Sequence, residues 1–189
     1  MSESRGRRRR VEGESRTLAF ASAYDEHVWD VYGYFAYRLS SRNDAEDLTQ
    51  LTFERALRAW DRFDARRGTV ATWLLTIAHN LLVDHYRRER SRHEETIGDD
   101  GAGEVLLGYQ EPEERGLGIS PDLAAALEQL GQRGREVIAL RFGGDLTAPE
   151  IAELMGLTLS NVQQILSRSL RRLRAELGNP ERTERGVRV

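Results

Sequence analysis

Hydrophobic residues recur at intervals of three and four along most of this chain, the period of a helix with one buried face, and no stretch alternates with the period of two that marks a strand. Tyr24, Val28, Val31, Phe35 and Leu39 follow one another at spacings of 4, 3, 4 and 4 and form a single helix face. Asn43 or Asp44 is placed to cap a second helix, with Asp47 near its positive N-terminal end. That helix carries Leu48, Leu51, Phe53, Ala56, Leu57 and Trp60. The stretch DRFDARRG from Asp61 reads as a loop closed by Gly68. Val70, Trp73, Leu74, Ile77, Leu81 and Val83 then mark a third, long helix that ends in RRERSR.

The pattern stops at residue 93. Residues 93–119 are rich in glycine and acid and have little periodicity, so they read as a flexible linker between two helical domains. A solvated spacer explains them; an acidic tether that occupies a basic channel in place of nucleic acid is the alternative. Beyond the linker, Ser120-Pro121 gives an N-cap followed by proline at the first helical position. Leu123, Leu127 and Leu130 form that helix's face, and Gly131 and Gly134 break it. Val137, Ile138, Leu140 and Phe142 make the next helix, which Gly143-Gly144 ends. The architecture expected is all-α, two small helical domains joined by an acidic linker.

The last pair of helices is the most specific signal. Thr147 and Glu150 have capping-box spacing, Pro149 lies in the first turn, and Ile151, Ala152 and Met155 share an apolar face. Gly156 is suited to the left-handed turn that ends a helix. Thr158 can cap the next helix, where Val162, Ile165, Leu166, Ser169, Leu170 and Leu173 recur at helical spacing. A small residue, a glycine turn and a buried valine at these positions are what a helix-turn-helix needs, and such a pair places its second helix in a DNA major groove.

Composition changes this picture in two ways. The formal net charge of −3 has the wrong sign for a nucleic-acid binder, but residues 93–119 alone hold eight acidic residues against Arg115, so the acidity belongs to the linker. The 28 basic residues are all arginine, which gives every cationic contact a planar donor capable of bidentate bonding. There is no cysteine, hence no disulfide and no thiolate metal site. No apolar run approaches the roughly 18 residues of a membrane span. The arginine-rich start is followed by polar VEGESR and not by a signal-peptide core, so a cytoplasmic protein without membrane insertion is expected. Residues 1–16 read as a disordered arginine-rich arm and 178–189 as a tail.

Candidate chemistry is that of binding. From Trp60 to Arg92, Trp60, Phe63, Trp73 and Tyr86 alternate with Arg62, Arg66, Arg67, Arg87 and Arg88, a combination that offers flat faces to unstacked bases and guanidinium groups to phosphates. Trp60 and Trp73 also suit a core. No Walker loop, HExxH or nucleophile elbow is present. His79 and His85 do not share a helix face, and the acids around Asp44 fit the electrostatics of a helix N-terminus better than a metal. No enzyme, cofactor or metal is expected.

Three segments together resemble the extracytoplasmic-function class of bacterial RNA polymerase sigma factors: NDAEDLTQLTFERALRAWDRF, TVATWLLTIAHNLLVDHYRRERSR, and the stretch from LGQRGREVIALRF to SLRRLRAEL. The resemblance covers about half the chain, in family order, on either side of the linker. It implies a polymerase-binding and minus-ten domain over residues 17–92 and a minus-thirty-five domain over 120–177. Asp47, Gln50, Leu51 and Arg55 would lie on the surface that grips the clamp helices of the polymerase largest subunit, with the flap as a second contact. The loop Asp61–Gly68, with Arg66 and Arg67, would capture an extruded promoter base. Asn80, Asp84, Arg87 and Arg88 match positions facing the minus-ten strand, and Asn161, Gln163, Gln164, Arg168 and Arg171 would enter or flank the minus-thirty-five groove. The family also implies an anti-sigma factor as partner.

One departure bears on specificity. Many members carry a basic residue and an arginine in mid recognition helix, where this chain has Gln163-Gln164-Ile165. Glutamine pairs with adenine edges and arginine with guanine, so the usual minus-thirty-five preference is in question and phosphate contacts by Arg168 to Arg174 gain weight. Two rival readings have distinct consequences. A one-component regulator with a ligand-sensing first domain would bind a palindromic operator as a dimer. A helical adaptor would show no salt-dependent binding to nucleic acid. Neither accounts for the arginine-aromatic loop and the long helix after it.

Overall fold

Most of the helices after the first begin where a side chain replaces a missing backbone acceptor. The Ser41 hydroxyl accepts from the Asp44 N–H at 3.2 Å, Ser120 from Leu123 at 3.2 Å, and Thr158 from Asn161 at 3.2 Å. The Glu150 carboxylate accepts from both the N–H and the hydroxyl of Thr147, at 2.9 and 2.6 Å. These caps set the boundaries in the computed structural model, which describes the backbone of residues 2–96 and 119–178 and the side chains of 16–92 and 119–178. Seven helices follow: α1 (Ser2–Ala36), α2 (Arg42–Ala59), α3 (Val70–Thr96), α4 (Pro121–Glu128), α5 (Gln132–Ile138), α6 (Ala148–Met155) and α7 (Leu159–Leu177). A 3-10 turn, Trp60–Arg62, continues α2, and a π-helical turn, Ala139–Gly143, continues α5. No strand occurs among the described residues.

Several boundaries differ from the sequence reading. The cap of α2 is Ser41, not Asn43 or Asp44. Starting one turn earlier leaves Asp44 inside the first turn, where its charge meets the positive helix end. α1 is drawn from Ser2, through the segment read as a disordered arm. Arginine and glutamate are good helix formers and no proline interrupts before Pro112, although Gly6 and Gly13 lower the local helix propensity. Gly134 does not break a helix but lies inside α5. It is needed for close approach: a Cβ there would sit 2.7 Å from Ser169 Oγ of α7. The linker reading falls on residues outside the described ones, apart from the end of α3 and a buried Ile119.

The core shows why the helix faces were legible. Val31 and Phe35 of α1, Leu48, Phe53 and Ala56 of α2, and Leu74 and Leu81 of α3 are all buried. In the second half Ile151, Ala152, Val162 and Leu173 are buried as the helix-turn-helix pattern requires. Gly156 adopts the left-handed conformation at φ 63° and ψ 35°, and its N–H bonds back to the end of α6. Leu57, Val83 and Phe142, assigned to apolar faces from sequence, are 51%, 43% and 50% exposed. Conversely Leu75, Ala78 and Leu82 are fully or almost fully buried although they lie off the predicted face of α3.

The reason is that α3 is covered on two sides. One hydrophobic cluster runs without interruption from α1, α2 and α3 into Val137, Leu140, Leu146, Ile151 and Val162 of the second half. A smaller cluster of Ala126, Leu127, Leu130, Ile138 and Leu173 closes the second half on itself. The two halves therefore pack against each other. A Cβ on Gly144 would meet Leu75 Cδ1 at 2.7 Å, and one on Gly33 would meet the Gly143 carbonyl oxygen at 2.6 Å.

Gly156 is open to a direct check. Nothing lies within 4 Å of the Cβ it lacks, so substitution meets only the backbone cost of the left-handed conformation. Gly156→Ala is expected to destabilise the chain by about 1–2 kcal/mol, seen as a lower urea midpoint with an unchanged slope.

Candidate nucleic-acid interface

The packing of α2, α3 and α7 decides which faces remain free. On α2 the buried side is Ala45, Leu48, Thr49, Thr52, Phe53 and Ala56. Asp47 and Gln50 are exposed and Leu51 and Arg55 half-buried on the remaining surface. Asp47, Leu51 and Arg55 recur at intervals of four and so form one stripe. Gln50 Nε2 donates to Glu54 at 3.3 Å, so the four predicted residues adjoin a local polar network.

After α2, the chain enters an aromatic box. Trp60 stacks on Phe63 with ring centroids 5.6 Å apart, and both meet Trp73, at 5.9 and 5.4 Å. Phe20 from α1 closes the edge of Trp60 at 5.2 Å. These rings hold the loop's ends to α1 and α3, which is the core role that Trp60 and Trp73 also suited. Arg66 and Arg67 stay exposed at the loop's tip. Arg66 is not a free cation: its Nε and Nη2 donate to both carboxylate oxygens of Asp64 at 3.0 Å each. Those side-chain bonds, with the Arg66 backbone N–H at 3.1 Å, hold the Asp64 carboxyl below its ordinary range. Arg66 is 89% exposed and Asp64 33%, and a solvent-accessible pair of this kind can exchange Asp64 for a phosphate at small cost.

Along α3 a polar stripe follows the loop. Thr69 caps the helix, its hydroxyl accepting from the Thr72 N–H at 3.2 Å. Thr76 and Asn80 are exposed, Asp84 is half-buried, and Arg87 and Arg88 are exposed at the same helical spacing. Arg87 lies 3.8 Å from Asp84 across one turn. On α7, Val162, Ser169 and Leu173 face inward. Gln163, Gln164, Arg168 and Arg171 are exposed and Asn161 is half-buried, its N–H engaged by the Thr158 cap. Arg171 bonds its own helix, to the Ser167 carbonyl at 3.4 Å. Each predicted group thus shares a surface within its own helix or loop.

Among the described residues, Asp44, His85 and Glu89 are the group whose ligand-type atoms lie within 4.8 Å of one another. His85 Nε2 sits 3.5 Å from Glu89 across one turn of α3, and Asp44 is accounted for by the N-terminal turn of α2.

Comparison with known proteins matches the two halves separately. Residues 23–92 fit the family model for sigma-70 region 2, and residues 126–175 fit that for sigma-70 region 4. The ECF RNA polymerase sigma factor SigK of Mycobacterium tuberculosis is 30% identical over 175 residues, which is 88% of this chain and 89% of SigK. The chain belongs to the ECF RNA polymerase sigma factors. BldN of Streptomyces coelicolor, of the same class, is 35% identical over 158 residues, 82% of this chain but only 59% of BldN's length. The Bartonella quintana sigma factor RpoE, solved with the anti-sigma factor NepR, superposes with a TM-score of 0.64 at 22% identity, over 86% of this chain and 98% of that one; the likeness is one of fold. No helix among the described residues is long and apolar enough to cross a membrane.

Sequence reasoning missed the residues that join region 2 to region 4. Glu136, in α5, is 5% exposed, and its partners all come from region 2. Tyr34 Oη donates to Glu136 Oε1 at 2.6 Å, and His79 Nδ1 lies 2.9 Å from the same oxygen. Arg38 Nε lies 3.2 Å from Oε2, off the line of a hydrogen bond, as an ion pair. The Arg38 guanidinium also lies over the Tyr86 ring at 5.7 Å, while Tyr86 Oη donates to the Arg38 carbonyl at 2.8 Å. A signal existed: Glu136 directly precedes an apolar run, Val137 to Leu140, at a position facing the core. Its partners lie 57 to 102 residues away in sequence, and no periodicity reports such a pairing.

Burial alone would raise the Glu136 carboxyl, yet the His79 hydrogen bond, the Arg38 charge and the Tyr34 hydrogen bond outweigh it and hold the group below the ordinary glutamate range. Its ionised form is therefore favoured by folding. That contribution is complete at neutral pH and is lost as pH falls through the depressed value. Urea midpoints measured from neutral to acid pH are expected to fall more steeply below the ordinary glutamate range in the native chain than in Glu136→Gln; parallel profiles would exclude the carboxylate as the source.

Proposed function

We propose that the chain is a dissociable initiation subunit that brings core RNA polymerase to two promoter elements and holds the opened strand, with no catalysis of its own. The observation that carries this reading is the free, polar outer faces of α3 and α7, each on a helix whose other side is locked into a core. In this reading Asp47, Gln50, Leu51 and Arg55 of α2 engage the clamp helices of the polymerase largest subunit. The loop from Asp61 to Gly68 receives an extruded base, with Arg66 leaving Asp64 for a phosphate. Asn80, Asp84, Arg87 and Arg88 follow the minus-ten strand, and base capture offsets an unstacking cost of a few kcal/mol per base.

Asn161, Gln163, Gln164, Arg168 and Arg171 address the minus-thirty-five groove. The two exposed glutamines favour adenine edges, and the arginines after them supply phosphate contacts. An anti-sigma factor is the natural restraint on such a chain, as NepR in its complex with Bartonella quintana RpoE illustrates for that protein. The chain acts in the cytoplasm, where polymerase and promoter are. Two weak modules on one linker gain affinity by engaging together, so neither needs a large basic surface.

Transcription by purified core enzyme across a randomised promoter library tests the reading; the expected outcome is run-off product from templates sharing two spaced elements, and a chain that neither co-purifies with polymerase nor supports run-off would end it. Arg171→Ala should lower the salt slope of promoter binding by about 1 if the side chain meets a phosphate, measured by titration at several salt concentrations. Asn80→Ala should leave polymerase affinity unchanged while reducing open complex, read by permanganate footprinting; equal loss of both would remove Asn80 from the strand-facing group.

A further inference from the structure

One side-chain cluster lies outside every role assigned so far. The imidazole of His85 on α3 meets two carboxylates, Glu89 one turn further along α3 and Asp44 in the first turn of α2. The three ligand-type atoms all lie within 4.8 Å of one another. The Ser41 cap engages only the backbone N–H of Asp44, so capping does not consume its carboxylate.

Two features separate this cluster from acids gathered at a helix end. The first is an orphaned nitrogen. His85 Nε2 is buried and makes no hydrogen bond. A buried polar atom left unmet is costly and calls for a partner. Glu89 Oε1 is 3.5 Å from it but off the line of a hydrogen bond. That separation suits two ligands of one ion: bonds of about 2.1 Å at a tetrahedral centre place neighbouring ligand atoms about 3.4 Å apart. The second feature is charge. An imidazolium balances one of the two carboxylates, whereas a divalent cation with a neutral imidazole balances both.

We propose that Asp44, His85 and Glu89 form a binding site for a divalent transition metal ion of the zinc class, bridging α2 and α3 and leaving a fourth position to water. One imidazole nitrogen with two carboxylate oxygens suits zinc and its neighbours, while magnesium and calcium prefer oxygen alone. His85 and Glu89, four apart on one helix, form a ready chelate, and Asp44 closes it from the next helix. The site lies where α3 leaves the core. Leu81 and Leu82 are buried, Asp84 to Tyr86 half-buried, and residues 87–92 exposed. An ion here ties the segment carrying Arg87 and Arg88 to the start of α2. Nothing in this inference depends on the promoter reading.

The chain suits a direct test, because it has no cysteine and its four histidines are His27, His79, His85 and His93. The full-length protein, without a histidine tag and stripped by chelator, is titrated with zinc by calorimetry and with cobalt by visible absorption. Saturable binding of one ion per chain is expected. Zinc should raise the thermal midpoint and slow amide exchange over residues 86–92. Asp44→Asn, His85→Gln and Glu89→Gln, each shown helical by circular dichroism, should weaken zinc binding by at least about tenfold and abolish the thermal shift. Asp44→Asn and Glu89→Gln keep the test readable should His85→Gln fail to fold. His27→Gln, which alters the other histidine flanked by acids, should bind as the parent does, and so should His93→Gln. Weak, non-stoichiometric uptake means an adventitious ion only and overturns the site. Magnesium binding as tightly as zinc overturns the transition-metal assignment. Unchanged zinc binding in Asp44→Asn overturns the bridge between helices, whichever histidine variant loses the ion.

Discussion

The closed arrangement depends on the burial of one carboxylate. A glutamate 5% exposed is tolerated only if its charge is met on several sides, and Glu136 finds a phenol, an imidazole and a guanidinium waiting on region 2. Such a socket is a poor source of net stability, because desolvating both partners offsets most of their attraction. Its value is in placement. Apolar contacts such as Leu75 against Gly144 tolerate small slips, whereas a carboxylate surrounded by three fixed groups does not. The ionic centre sets the orientation of region 4, and the continuous apolar cluster around it supplies the adhesion.

This explains what the sequence made legible and what it hid. Local signals were read directly: the Thr147–Glu150 capping box, the left-handed Gly156, the Thr158 cap and the inward Val162 are all encoded within a few residues of where they act. The cap of α2 was misplaced by two or three residues because Ser41, Asn43 and Asp44 are all competent cap types, and only the path of the chain chooses among them. The second buried face of α3 was not legible. Leu75, Ala78 and Leu82 are buried partly by a segment beyond the linker, and a single-helix pattern assigns such residues to a broad stripe without saying what covers it. Gly134 was misread for the same reason: glycine signals both helix breaks and close approaches, and the partner here, Ser169, is 35 residues away.

The candidate interface was legible only as lists of residues. Side-chain type and spacing put Asn80, Asp84, Arg87 and Arg88 on one stripe of α3, and Gln163, Gln164, Arg168 and Arg171 on the outside of α7. Pattern could not show that Arg66 is already bidentate to Asp64. That pair gives the loop its own counter-ion, so the arginine is held in place by its neighbour two residues away.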